Sequence, residues 1–218
     1  MDEAKLRLEI CRVGRSLFER GYAHATAGNI SARLDDGYLI TPTDACLGFL
    51  EPDRLAKVDA AGNVLGGDRP SKTLTLHRRI YGAVREAASV IHTHSTHLVA
   101  LSLAGAWSPE DVVPPITPYF VMKVGHVPLI PYHRPGDPAV GELVTQAIER
   151  FAARGTPIRA VMLDRLGPNV WHESPGAAMA VLEELEETAK LWLHGGRVAK
   201  PLQEGQIEEL RRAFGARW

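Results

Sequence analysis

Cysteine is scarce in this chain, with only Cys11 and Cys46 among 218 residues. Two thiols cannot build the disulfide framework of a small secreted domain, and both lie in mostly apolar surroundings, so they read as reduced core residues. An excess of charge of one sign is also lacking. A formal net charge of -1 and a pI near 6.8 leave no electrostatic footprint for nucleic acid or an anionic membrane. Small-molecule chemistry fits better. No apolar run approaches the roughly 20 residues of a membrane-spanning helix, and no basic leader precedes an apolar stretch, which together predict a cytoplasmic protein. No internal repeat or low-complexity segment divides the sequence, so residues 1–218 are expected to form one domain with a sizeable core.

What is present centres on the stretch from Arg69 to Ser102. A polar turn at Pro70 is followed by a helix, with Ser71 offered as its N-cap hydroxyl and with Leu74, Leu76, His77, Ile80, Tyr81 and Val84 at helical spacing. Ala87 to Ile91 then reads as a short buried strand. His92 and His94 follow it at i and i+2, which turns both imidazoles to one side of an extended backbone. A lone histidine near a strand end is commonly a hydrogen-bonded structural residue. This pair, however, sits where α/β enzymes place their sites, and two converging imidazoles are half of a divalent metal site.

The flanking chain supplies a scaffold. Asp2 to Arg20 forms a helix with Leu6, Leu8, Ile10, Val13, Leu17 and Phe18 on a broad apolar face, ended by Gly21. Gly28-Asn29 can bring backbone and a carboxamide to a ligand, although a plain hairpin entry explains the dipeptide alone. Ile30 to Leu34 and Tyr38 to Ile40, joined by Asp35-Asp36-Gly37, are expected to be antiparallel neighbours. Asp53 to Val58 and the Gly62-Asn63 turn extend the meander. Thr41-Pro42-Thr43 places hydroxyls at a strand end.

Pro109 to Pro118 is irregular, and the prolines of Val127 to Tyr132 suit an edge strand. Pro138 to Arg154 is a helix, and Ala160 to Leu163 the last clear buried strand, stopping at Asp164-Arg165-Leu166-Gly167-Pro168. Ser174-Pro175 opens the longest helix, whose Glu183, Glu184, Glu186 and Glu187 read as its solvated side, stopped at Gly195-Gly196. A shorter helix runs from Glu204 to Phe214. A small antiparallel meander with helices packed on its faces would be an α/β protein of the α+β or three-layer kind.

Taken in order, Gly28-Asn29-Ile30-Ser31, Thr41-Pro42-Thr43, Pro70-Ser71-Lys72, His77, His92-Thr93-His94-Ser95, Tyr119 and Glu183-Glu184-Leu185-Glu186-Glu187 resemble the class II aldolase and adducin head family over nearly the whole chain. Within it, the runs after Pro70, Thr117, Pro131 and Leu185 look most like the decarboxylases of 3-oxo sugar-acid phosphates. The resemblance implies a central mainly antiparallel sheet flanked by helices, a homotetramer with sites between subunits and a divalent metal, usually zinc, that stabilises charge left by carbon–carbon cleavage. It implies His92 and His94 as the first two of three metal histidines. By the same resemblance Asn29, Thr43, Ser71 and Lys72 hold a substrate phosphate, and Tyr119 delivers a proton from a neighbouring subunit.

Three positions depart from the family pattern. The acid/base glutamate falls on Thr73, which cannot serve as a carboxylate base near neutral pH. The third histidine, of an Asn-His-Gly strand end, falls on Leu166 in Arg165-Leu166-Gly167. A glycine beside the phosphate-site threonine is Asp44, whose charge repels a phosphate unless Lys72 or Arg165 compensates. One reading keeps a metal-dependent lyase acting on a small sugar acid, with Arg165 stabilising an anion, since a β-keto acid loses carbon dioxide without a strong base. The other keeps only the fold, for a non-phosphorylated substrate or for metal-free binding.

Overall fold

The computed structural model describes residues 2–218. Helix α1 (Glu3–Glu19) leads into strands β1 (Asn29–Arg33), β2 (Gly37–Ile40), β3 (Ala56–Asp59) and β4 (Val64–Gly66). Helix α2 (Leu74–Ala83), strand β5 (Ser89–His92) and helix α3 (Thr96–Ala104) follow. The second half holds β6 (Leu129–Ile130), α4 (Pro138–Ala153), β7 (Ala160–Leu163), β8 (Gly167–His172), α5 (Pro175–His194) and α6 (Glu204–Phe214). One eight-stranded sheet runs in the order β4-β3-β2-β1-β5-β8-β7-β6. Its pairs are antiparallel except β6 with β7, so the expected mainly antiparallel sheet is found with one parallel edge.

Alternation along the central strands sorts the core into two layers. Ile30, Ile91 and Val170 face α1, α3 and α5, where Ile10, Leu17, Leu98, Leu182 and Leu185 are buried. Val90, Val161 and Trp171 face α2 and α4, where Ile80, Val144, Ile148 and Phe151 are buried. Helix, sheet and helix therefore form the three layers that the sequence predicts.

Several local expectations change. Ser71 does not cap α2. The cap position is Thr73, and the Ser71 hydroxyl instead lies 2.9 Å from the Thr73 hydroxyl. Asp53 and Arg54 belong to a short 3-10 turn begun by Pro52, not to β3. Leu8 is exposed, so the buried stripe of α1 is narrower than its composition suggests. The hydrophobic run of α3 has no polar face to mark it as a helix, with Leu98 and Leu101 buried and Leu103 exposed. Glu186 is buried rather than solvated. Its carboxylate accepts from the His97 and Leu98 backbone N–H groups and from the His97 ring, closing the N-terminus of α3.

Ala160–Leu163 is not the last strand. β8 begins at Gly167-Pro168-Asn169, turn-forming residues that hide a strand buried at five of its six positions. Trp218 stacks on His126 with ring centres 4.2 Å apart, so the end of the chain is packed. Cys11 and Cys46 are free thiols, half-buried rather than fully inside the core. No helix among the described residues is long and apolar enough to cross a membrane.

Candidate active site

The antiparallel registers bring the start of β1, the end of β5 and the start of β8 to one end of the sheet. Asn29 stands opposite His92, and His92 stands opposite Asn169. Directly opposed residues share a face, so these three side chains form a row across three strands. All three are buried. The Asn29 Oδ1 has no hydrogen-bond partner among the described residues, so it can accept from a ligand donor.

The His92 Nδ1 lies 2.8 Å from the Pro168 carbonyl. A carbonyl can only accept, so Nδ1 carries the proton and Nε2 keeps its lone pair. The Asn169 Nδ2 lies 3.4 Å from the same nitrogen, and its Oδ1, like that of Asn29, has no hydrogen-bond partner among the described residues. Burial, reinforced by nearby His94, pushes His92 down to about 4. His94 is also lowered, by burial first and by His24 second. Both rings are therefore neutral at neutral pH, the form that ligates metal.

Glycine makes this approach possible. Gly167 sits at φ +133°, and a Cβ there would lie 2.0 Å from the Thr93 carbonyl oxygen. Gly28 has φ +94° and a Cβ on it would meet the His92 carbonyl at 2.8 Å. The backbone on both sides of the histidine strand is thus closed to side chains.

A second group gathers on turns at the same end. Thr43 follows β2; its hydroxyl donates to the Pro70 carbonyl at 2.8 Å and its N–H to the Arg69 carbonyl at 2.9 Å. Ser71 is tied to the same turn by its N–H, which donates to the Thr41 carbonyl at 3.2 Å, and its hydroxyl meets that of Thr73. Lys72 is exposed and makes no ion pair among the described residues. A cleft of about 520 Å³ opens outside this turn, lined by Thr43, Asp44, Arg54 and Arg69 among others, and does not include the histidines. Tyr119 is 61 % exposed and makes no hydrogen bond to the row.

The departures from the family pattern lie on this turn side. Asp44 has φ +58° and Arg165 φ +62°, the left-handed region that favours glycine or asparagine. The expected compensation of Asp44 is not formed: no ion pair joins it to Lys72 or Arg165 among the described residues, and the Arg165 Nε instead lies 3.9 Å from Asp164. Leu166 is half-buried against the α2–α4 core. Among the described residues no three His, Cys, Asp or Glu side chains gather as a metal cluster. The donor chemistry of His92 and His94 fits a divalent ion as two of its ligands, and Leu166 adds none.

Asn169 escapes a reading of the sequence because Gly-Pro-Asn reads as a turn; its signal is only its place two residues before buried Trp171 on the same face. His77 is drawn close as well. Its Nδ1 and the Tyr81 hydroxyl each lie 2.7 Å from the Ser31 hydroxyl, and burial, with His92 second, pushes it down to about 3.

The fold superposes on that of an L-fuculose 1-phosphate aldolase with a TM-score of 0.82 at 22% identity, covering 97% of this chain and 96% of that one. Residues 8–193 match the Class II Aldolase and Adducin N-terminal domain, and the chain belongs to that family. It is 60% identical over 221 residues to the 3-oxo-tetronate 4-phosphate decarboxylase of Cupriavidus necator, covering 99% of each chain. It is 43% identical to the protein of that name from Pectobacterium atrosepticum, over 95% of this chain and 93% of the other. The crystal structure of YgbL from Escherichia coli superposes with a TM-score of 0.86 at 43% identity, covering 96% of this chain and 99% of that one.

Proposed function

We propose that this chain is a carbon–carbon lyase that decarboxylates a 3-oxo sugar acid, 3-oxo-tetronate 4-phosphate or a close analogue. The observation that carries the reading is the buried row Asn29–His92–Asn169 with His94 beside it, a polar set that packing alone does not require. A divalent cation held through His92 and His94, zinc in this reading, supplies Lewis acidity toward the negative charge that develops as carbon dioxide leaves.

The chain's own groups do the rest. The Asn29 carboxamide orients a polar substrate group at the floor of the site. Ser71 and Lys72, with the Thr43 turn behind them, hold the far end of the substrate, and Arg165 at the turn before β8 meets an anion. When the bond to the carboxylate carbon breaks, its electron pair passes to the adjacent ketone. No base must first remove a hydroxyl proton, which is why Thr73 in place of a glutamate is compatible with decarboxylation and not with aldol cleavage. Thr73 serves as a hydrogen-bonding partner of Ser71 and of substrate. Tyr119, exposed in the single chain, donates the proton to carbon from a neighbouring subunit of a homotetramer. The enzyme works in the cytoplasm.

Asp44 favours a second substrate: with no ion pair on it among the described residues, its charge beside Thr43 makes the same acid without its phosphate better tolerated. Carbon dioxide release from 3-oxo-tetronate 4-phosphate and from the free acid, measured for wild type and for His92→Ala/His94→Ala, tests both. Release by wild type and its loss in the double variant are expected. No release from either acid by metal-supplemented wild type overturns the lyase reading.

A further inference from the structure

Two imidazoles are a thin hold on a divalent ion, since catalytic zinc sites commonly use three protein ligands. With metal–nitrogen bonds of about 2.0–2.1 Å, ring centres lie roughly 3.2 Å from a tetrahedral ion and so about 5 Å from each other. The His92 and His94 centres are 5.1 Å apart. They already stand at the spacing of a ligated pair.

A third ring stands next to them. His24, on the loop between α1 and β1, lies edge-on to His94 with centres 6.5 Å apart. That is about 1.5 Å beyond the ligated spacing inferred above. The His24 side chain is exposed, and its ring makes no hydrogen bond among the described residues, so a turn about its own side-chain bonds meets little resistance.

The other six histidines are engaged or elsewhere. The ring of His77 bonds Ser31, that of His97 bonds Glu186 and that of His126 bonds Asp111. His133 faces Asp137, and His194 packs on His97. His172 pairs with Ser89, at the opposite end of β5 from His92.

We propose that His24 is the third protein ligand of the divalent ion, taking the part that Leu166 cannot play. The site is then His24, His92 and His94, two ligands from the strand end and one from a loop on the other side of Gly28. This assignment rests on the metal-dependent reading above.

Binding of cobalt(II) alone to chelator-stripped full-length protein tests it without any turnover, read as stoichiometry, affinity and the visible absorption of a four-coordinate centre. Wild type is expected to take up one ion per chain. His24→Ala is expected to weaken binding at least as much as loss of an outer-shell partner does, on the order of 10–100-fold, and to change the absorption. Adding Leu166→His to His24→Ala is expected to restore it. Unchanged affinity and absorption in His24→Ala overturn the assignment of His24 while leaving the two-histidine site standing. Absence of cobalt binding by wild type overturns the metal reading itself.

Discussion

One end of the sheet carries two kinds of site wall. The wall on the strands, Asn29, His92 and Asn169, is buried and fixed by cross-strand register. The wall on the turns, from Thr43 to Asp44, Ser71 to Thr73 and Arg165 to Leu166, is half-buried or exposed. All three departures from the family's residues fall on the second wall. A change on a strand moves three neighbours and opens unsatisfied groups in the core, whereas a change on a turn alters one side chain and, at worst, one backbone conformation. The contrast teaches that the histidine-bearing wall is tied to folding and the turn wall is free to vary.

The largest expected effect breaks the strand wall. Gly167→Ala forces a Cβ against the Thr93 carbonyl and is expected to cost about 3 kcal/mol or more, read as a shift in the urea midpoint. An unshifted midpoint would mean that the two strands are not held at this spacing.

Next in size is a pH effect from the layer beneath. His77 falls to about 3 in the folded chain, from an ordinary value of 6.5, because burial disfavours its charged form. Between those values the unfolded chain holds the extra proton, so the stability from neutral His77 is present above pH 6.5 and is lost as pH falls toward 3. One such group gives a slope of about 1.4 kcal/mol per pH unit inside that window. Unfolding at pH 7 and pH 5 should show His77→Asn losing about 2 kcal/mol less than wild type on acidification. His92 acts in the same direction in both proteins, so equal losses would remove His77 as a source.

The smallest effects lie on the turns. Arg165→Gly relieves a left-handed arginine and is expected to raise stability by about 0.5–1 kcal/mol. Asp44→Gly is expected to gain only a few tenths, because aspartate tolerates that region, but to lower KM for a phosphorylated substrate by removing a like charge. A KM that stays fixed would place the phosphate away from Thr43.

The same division explains what the sequence discloses. Helices α1, α4, α5 and α6 and the β1–β2 hairpin are legible because each has its own period, cap or turn residue, as with Asp137 and Ser174. The pairing of His92 with His94 is legible because i, i+2 spacing needs no partner to interpret. Asn169 is not, since its role comes from pairing with His92 across 76 intervening residues and from a strand written in turn residues. Glu186 misleads in a related way: a glutamate-rich helix face looks solvated until α3, itself unmarked by any polar face, packs its N-terminus there. The place of His24 beside His94 depends on a loop path that no local pattern encodes.

The two margins of the sheet have their own consequence. β6 is two residues long, with Pro128 before it and Pro131 after it, and β4 is a three-residue strand set off from β3 by an irregular register between Lys57 and Val58. Proline withholds the N–H that an incoming strand needs, and a short, displaced strand offers a poor template. A protein whose sheet is eight strands wide could propagate edge to edge into aggregates. Here both margins are blunted, so copies of the chain can meet at high concentration through their helices and loops without their sheets fusing.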